Sequence, residues 1–389
     1  MSLIEPIMLP PSAVRDTRRS GGEQQFPFPS SGSERPRVQF LRSDRLTPPD
    51  HRRWASLTAC AAPGNVLAAN WCLGPLLEKH PARLAVVCDR AGGWIGMLPI
   101  GYERIPGTGW LGGWHTWPLG AVHGNTGLIG TPLVRAGAEH AFWEALLAQL
   151  DARPGLAGGL FADALPLDDP ATLALVSLCA QQGRALHGWG GFARSAWRPD
   201  IPAKPRAEML MRSRMEEQEA LLAVAHGPLK LAFHRHAEDC GPWLAAFHAL
   251  ERGGGSLGAA PFAPATLRSV IAAGQQRGAV RLASLAAGET IVAMAAWLVS
   301  DARGYGLALG IDARARGFAP HRMLMRRIAK HARHEGMVQF DACTAASAVP
   351  DLMWPEQRRF ARFAVAIGGP CRRALLARAM GALDSGTSA

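Results

Sequence analysis

RGYGLALGIDARARGFAPH, residues 303–321, sets how the second half of this chain is read. The run from Arg303 to Asp312 reads as a strand that delivers the chain to a short loop. Gly317 has no Cβ, so a ligand can approach the backbone closely there. Pro320 suits the first turn of a helix, where no intrahelical N–H is required. The predicted helix, HRMLMRRIAKHARHEG, turns Met323, Leu324, Ile328 and Ala332 inward and stops at Gly336. It feeds a further strand, MVQFDAC (337–343). A helix N-terminus presents unpaired amides and the positive end of its dipole, which is the geometry a pyrophosphate needs. Arg314 and Arg316 add cationic donors. An incidental strand–loop–helix unit would show the same spacing, R-x-x-G-x-A.

Outward from this stretch the same grammar recurs. Toward the N-terminus lie strands at 279–286 and 290–300, a helix at 264–277, a glycine-rich loop, and a helix, CGPWLAAFHALER (240–252). A strand, LKLAFHRH (229–236), and a helix at 208–225 precede them. The proline-bearing segment RPDIPAKPRAE (198–208) reads as a linker. Before it, a helix around 49–62 leads to RLAVVCD (83–89) and WIGMLPIGYE (94–103), a hairpin turning at Gly92-Gly93. A helix at 136–150, a strand near 159–164, a helix at 170–182 and a strand at 186–196 follow. Residues 1–37 are rich in Pro, Gly and Ser and read as a disordered tail. The expected organisation is thus a tail, an N-terminal domain over 38–200 and a C-terminal domain over 206–389. Strand pairs flanked by helices in both halves predict two related mixed α/β units.

The 389 residues exceed one ordinary core and fit two domains. No apolar run reaches the ~20 residues of a membrane span. Arg18-Arg19 is followed by polar residues where an export signal has its apolar segment, so a cytoplasmic location is expected. Seven scattered cysteines without a C-x-x-C exclude a disulfide framework or zinc knuckle, and no metal is expected. The formal charge of +11 favours an anionic partner, and 13 Lys/Arg against 5 Asp/Glu fall between Asp312 and Arg378.

Other motifs fail on context. GTGWLG (107–112) matches G-x-G-x-x-G but lacks a preceding strand and a following helix. GGSLG (254–258) matches G-x-S-x-G but follows a helix, so Ser256 is not on a nucleophile elbow. His234 and His236 share a strand face without a third ligand. Trp110, Trp114 and Trp117 could floor a sugar site, although packing explains them as well. The basic C-terminal helix (371–383) reads as docked on its own domain, with membrane-surface contact as the alternative.

The R-x-x-G-x-A loop, opening a helix that ends in G-M-x-x-F-D, resembles the acyl-CoA-binding segment of the GNAT acyltransferase superfamily. More of the chain resembles its cellulose-biosynthesis (CelD-like) acetyltransferases, built from two GNAT-like halves as in Fem-type transferases. The phrases that carry this are MLMRSRMEEQEALL (209–222), FHALERGGGSLGAAP (247–261), the strand pair at 279–300, and FAPHRMLM to QFDA (318–342). WASLTACAAPGNVLAANWCLGPLLE (54–78) and RLAVVCDRAGGWIGMLPI (83–100) extend it into the first half. The chain departs from the family in Glu216, Glu217 and Glu219, which interrupt a basic run, and in the segment 344–357. The resemblance implies tandem GNAT-like domains, each a mostly antiparallel mixed sheet flanked by helices. It implies acyl transfer from acetyl-CoA or another acyl-CoA to an amine or hydroxyl, with a sugar or polysaccharide-related acceptor. Leu309, Ile311, Arg314, Arg316, Gly317, Phe318 and Ala319 would hold the cofactor. Glu251, the family's "LE" glutamate, is the first candidate for general base and Asp341 the second. DNA is not expected as a partner; association with a membrane surface or a polysaccharide synthase is compatible. A non-catalytic scaffold and a Fem-like aminoacyl transferase are the alternatives.

Overall fold

The computed structural model describes residues 36–61, 66–104, 112–116, 130–155, 157–201, 205–234, 240–254, 263–343, 354, 356–374 and 376. The tail up to residue 35, Trp110, Trp117, His236 and Ser256 lie outside them, as does most of GTGWLG.

The N-terminal half opens with β1 (Arg37–Arg42), α1 (Pro48–Cys60) and α2 (Asn70–Lys79). Thr47 and Asp50 start α1 with a reciprocal capping box. The hairpin β2 (Arg83–Cys88) and β3 (Trp94–Arg104) turns through Gly92, whose φ is 79°, and the Asp89 carboxylate accepts from Gly93 N at 2.8 Å. Then come β4 (Gly112–Thr116), the short β5 (Leu133–Val134), α3 (Glu139–Ala152), β6 (Ala157–Pro166), α4 (Pro170–Gln181) and β7 (Leu186–Trp197).

The C-terminal half begins with α5 (Pro205–His226), β8 (Leu229–His234), α6 (Cys240–Arg252) and α7 (Pro264–Gln275). The antiparallel strands β9 (Val280–Ala287), β10 (Thr290–Ser300) and β11 (Arg303–Ile311) lead to a 3-10 turn over Ala313–Phe318. The chain then runs through α8 (Pro320–His334), β12 (Gln339–Asp341) and β13 (Glu356–Ala366).

All the long strands join one sheet in the order β1-β2-β3-β4-β6-β13-β7-β12-β11-β10-β9-β8, with β5 on β3. Its centre contains an exchange. β7, from the first half, pairs with β12 of the second, and β13, from the second, pairs with β6 of the first. β7 and β13 pair antiparallel with each other over Leu186–Ala196 and Glu356–Val365. Each half therefore borrows its last strand from the other. The halves are alike in a second way: β4 pairs parallel with β6, as β11 does with β12.

Alternation along the strands divides the core by face. Leu84, Val86 and Leu282 point to one face, covered by α1, α2, α6 and α7 in a core shared by both halves. Ala85 and Val87 point to the other face, where α3 and α4 cover the first half. Ala283 and Leu285 point there too, under α5 and α8.

Most expected elements are present within a few residues of their expected limits, and β1, α2, β4, β5 and β13 are additional. α2 lies within a stretch that had been assigned no helix of its own, despite Pro75 in its interior. Only the first two residues of β13 fall in the departing segment 344–357, and the rest lies where the sequence suggests no element. Trp114 stacks on Phe40 with centroids 6.0 Å apart beneath Arg83, so it is a packing residue. His234 Nε2 pairs with Ser284 Oγ at 2.9 Å, and no cluster of metal-ligating side chains occurs among the described residues. Leu376, from the C-terminal segment, is buried against Phe161 and Ala364, and Arg373 donates to Asp151 at 3.1 Å. No helix among the described residues is long and apolar enough to cross a membrane.

Candidate functional site

β11 leaves β12 early. The two strands pair only over Arg303–Tyr305 and Gln339–Asp341. Past that point Asp312 N donates to Val292 O of β10 at 2.9 Å. Amides alternate along a strand, so those of Ile311 and Leu309 point to the opposite edge, away from β10. Their side chains are buried under α8. The sequence-predicted N–H donors therefore line the diverging edge. Gly306 lies against the Ala342 carbonyl, where a Cβ would collide with it.

The loop that follows is more ordered than its sequence implies. Residues 313–318 form a 3-10 turn capped by Asp312, whose Oδ1 accepts from Arg314 N at 2.9 Å. Arg314 folds back and its Nη2 donates to Asp312 Oδ2 at 2.7 Å, a hydrogen bond that holds the Asp312 carboxyl below its ordinary range. The guanidinium stays exposed. Gly317 is exposed and a Cβ there would meet open space. The left-handed residue is Ala319, at φ 52° and ψ 50°, immediately before Pro320, which disfavours the right-handed helical region for its predecessor. Phe318 sets its ring edge-on to His226, 5.9 Å away. α8 has no acidic residue in its first turn. His321 is pushed down to about 4, first by burial and then by the nearby Arg322 and Arg316, so it is neutral at physiological pH. Its Nδ1 has no hydrogen-bond partner.

α6 joins this loop to Glu251. It packs on β11 where Gly310 admits Phe247, a built Cβ there lying 3.1 Å from Phe247 Cε2. Arg316 Nη2 donates to Gly254 O at 2.7 Å, tying the loop to the end of α6. Glu251 Oε2 is 2.9 Å from His248 Nδ1, one helical turn earlier. If Nδ1 carries the proton, as a carboxylate partner requires, Nε2 is left as a buried lone pair without a donor. Glu251, the diverging edge and the loop are contiguous.

Asp341 is elsewhere in kind. It is buried on β12, its Oδ1 accepts from Cys343 N at 2.8 Å, and its Oδ2 accepts from Arg358 Nη1 at 3.2 Å. A carboxylate so engaged has little capacity left for a substrate proton. The basic α8 is also partly neutralised: Arg327 donates to Glu219 of α5 at 3.0 Å. Glu216 accepts from Arg212 at 2.9 Å, so two of the glutamates that interrupt the expected basic run have partners.

Sequence reasoning missed His248, although its i, i+3 spacing to Glu251 is legible. It also missed Tyr305, Arg194 and Arg358, for which a polar or charged side chain at an inward strand position is the only signal.

Residues 209–348 match the family model described as an acetyltransferase (GNAT) domain. No curated protein matches the chain by sequence. Among solved structures it is similar to the C-terminal domain of a protein named as a lysylphosphatidylglycerol synthetase from Agrobacterium fabrum, at 15% identity and TM-score 0.51, covering 85% of this chain and 96% of that one. It is also similar to L-PGS from Bacillus licheniformis, at 13% identity and TM-score 0.50, covering 86% of this chain and 97% of that one. Identities this low speak for the fold alone. The matched segment spans the diverging strands, the loop and α8, so the GNAT-type domain lies in the second half of a chain whose two halves share one mixed sheet flanked by helices.

Proposed function

We propose that this protein transfers an acyl group, acetyl in the first instance, from acyl-CoA to an amine or hydroxyl. The observation that carries the reading is the edge of β11 that diverges from β12 and runs directly into an unopposed helix N-terminus. Acyl-CoA would supply the activated thioester. The start of α8 and the side chains of Arg314 and Arg316 are disposed to hold its pyrophosphate, whereas the Ala319 amide already donates to Arg316 O at 3.0 Å. The amides of Leu309 and Ile311 are disposed to stabilise the oxyanion that forms when the nucleophile attacks the carbonyl. Glu251 would take the proton from the nucleophile, with His248 holding its carboxylate. Asp341 has a structural part in this reading.

The acceptor is a sugar or a polysaccharide-related molecule, in envelope or exopolysaccharide synthesis, and the reaction is cytoplasmic, where acyl-CoA is found. What supports this is the resemblance to CelD-like acetyltransferases. The two-domain division at residues 198–208 belongs to the same reading. Acetyl-CoA should raise the melting temperature of the full chain by mass action, and Arg314→Glu with Gly317→Glu should abolish the rise. No shift with any acyl-CoA overturns the proposal.

A second reading, aminoacyl transfer as in Fem-type enzymes, is favoured by the solved neighbours named as lysylphosphatidylglycerol synthetases. It requires binding of an aminoacyl-tRNA that weakens steeply with salt.

A further inference from the structure

On the sheet face that carries α6 and α7, charge is concentrated where β12, β7 and β13 lie side by side. Arg194 is 1% exposed, Arg358 2% and Asp341 1%. Arg194 and Arg358 are register partners across β7 and β13. Arg358 Nη1 donates to Asp341, and its Nε donates to Asp168 Oδ1 at 3.0 Å. Arg194 lies 4.0 Å from the Asp341 carboxylate and stacks over Phe360 at 4.1 Å. Asp168 is nearly half exposed. The fully buried members are therefore two cations and one carboxylate. Buried ion pairs seldom stabilise a fold better than apolar residues of the same volume, so charge buried to this degree calls for a further reason.

Two donors in this place are unspent. Arg358 Nη2 and Tyr305 Oη are both closed to water and without a hydrogen-bond partner. Tyr305 is in register with Asp341, the residue that Arg358 grips. Tyr305, Phe360 and Cys343 share one buried cluster. Burial pushes the Tyr305 phenol up to about 12, so the hydroxyl keeps its proton at neutral pH. Glu356, register partner of Ala196, turns to Arg198 at 3.5 Å.

The position matters as much as the chemistry. Tyr305 is the last residue of β11 that pairs with β12, so the divergence begins beside it. α8 packs on the opposite face of the sheet. An acyl group entering from the loop through the divergence would meet its acceptor on the Tyr305 side.

We propose that Arg358 Nη2 and Tyr305 Oη bind an anionic oxygen of the acceptor, so that the acceptor carries a carboxylate or a phosphate in addition to its nucleophile. This rests on the acyltransferase reading above. An oxyanion there accepts from both unspent donors.

The test uses the full chain and two matched acceptor pairs, glycine with glycinamide and glucosamine 6-phosphate with glucosamine. Acetyl transfer should favour the charged member of one pair by about tenfold or more in kcat/KM, and which pair responds separates carboxylate from phosphate. Tyr305→Phe, which keeps the ring and its packing, should remove most of that preference through KM and leave the KM for acetyl-CoA unchanged. Equal rates within both pairs, or a preference that survives Tyr305→Phe, overturns the proposal. A second measurement is independent of turnover: the thermal shift produced by millimolar inorganic phosphate or acetate with coenzyme A in excess. A shift lost in Tyr305→Phe supports the anion site even where acetyl-CoA itself gives none, which would sink the acyltransferase reading alone. An acetyl-CoA shift without a phosphate or acetate shift sinks the anion site alone.

Discussion

The two halves build the same strand–helix–strand unit and finish it differently. In the first half α3 begins at Glu139, whose own carboxylate accepts from Gly137 N at 3.1 Å and sits at the positive end of the helix. In the second half α8 begins with Pro320 and no acid in its first turn, after a loop that bears two arginines. The first helix end carries its own negative charge, whereas the second carries none in its first turn. One architecture thus supports two states of the same terminus, and a single side chain separates them.

The comparison breaks most visibly at the exchanged strands. Phe192 and Phe360 stack with centroids 5.1 Å apart between β7 and β13. Phe360→Ala should destabilise the protein by about 3–5 kcal/mol, with loss of both halves in one urea transition. Two separated transitions would show that the halves are independent in spite of the shared sheet.

A smaller effect concerns acid. His321, in the second half, is pushed down from its ordinary 6.5 to about 4. The unfolded chain takes up that proton first, so stability present above pH 6.5 is lost as the pH falls toward 4. Asp169, in the first half, is pushed up by burial from 3.8 to about 6, although its carboxylate accepts from Ala171 N at 2.9 Å. Here the folded chain keeps the proton longer, so stability present below pH 3.8 is lost as the pH rises to 6. Asp169→Asn keeps the cap and should raise stability at neutral pH by about 1–2 kcal/mol. His321→Gln should flatten the acid limb of the urea-midpoint profile instead. If both variants move the profile in the same direction, the assignment of opposite signs is wrong.

The smallest effect is a null. Glu139→Gln should leave the thermal shift by acetyl-CoA unchanged, because the proposed cofactor site lies at α8 and not at α3. A changed shift would place a second binding site in the first half.

Most of this fold was legible in the sequence because its elements are punctuated locally. The apolar run in RLAVVCD, the stop at Gly336 and Pro320 at a helix start depend on nearest neighbours only. The exchange of β7 and β13 was not legible, since pairing partners as far apart in sequence as Ala196 with Glu356 and Leu186 with Val365 leave no local trace. The loop was located correctly, but the left-handed turn sits at Ala319 and Gly317 is merely open, a distinction that depends on backbone angles. Glu251 was singled out from its place at a helix end, and the structure has it at the end of α6. Arg194 and Arg358 were not, because an arginine in a strand reads as exposed until its neighbours are known.

The exchange also bears on how the chain is made. β6 is complete at Pro166, yet the strand that covers its far edge ends at Ala366. During synthesis, the first half waits for about 200 residues, at least ten seconds at ordinary elongation rates, with an unpaired strand edge facing solvent. β7 is made early but lies beyond the gap that β13 must fill, so it cannot close that edge alone. For that interval the nascent protein exposes the kind of edge on which β-rich chains aggregate, and the last strand to emerge is the one that removes it.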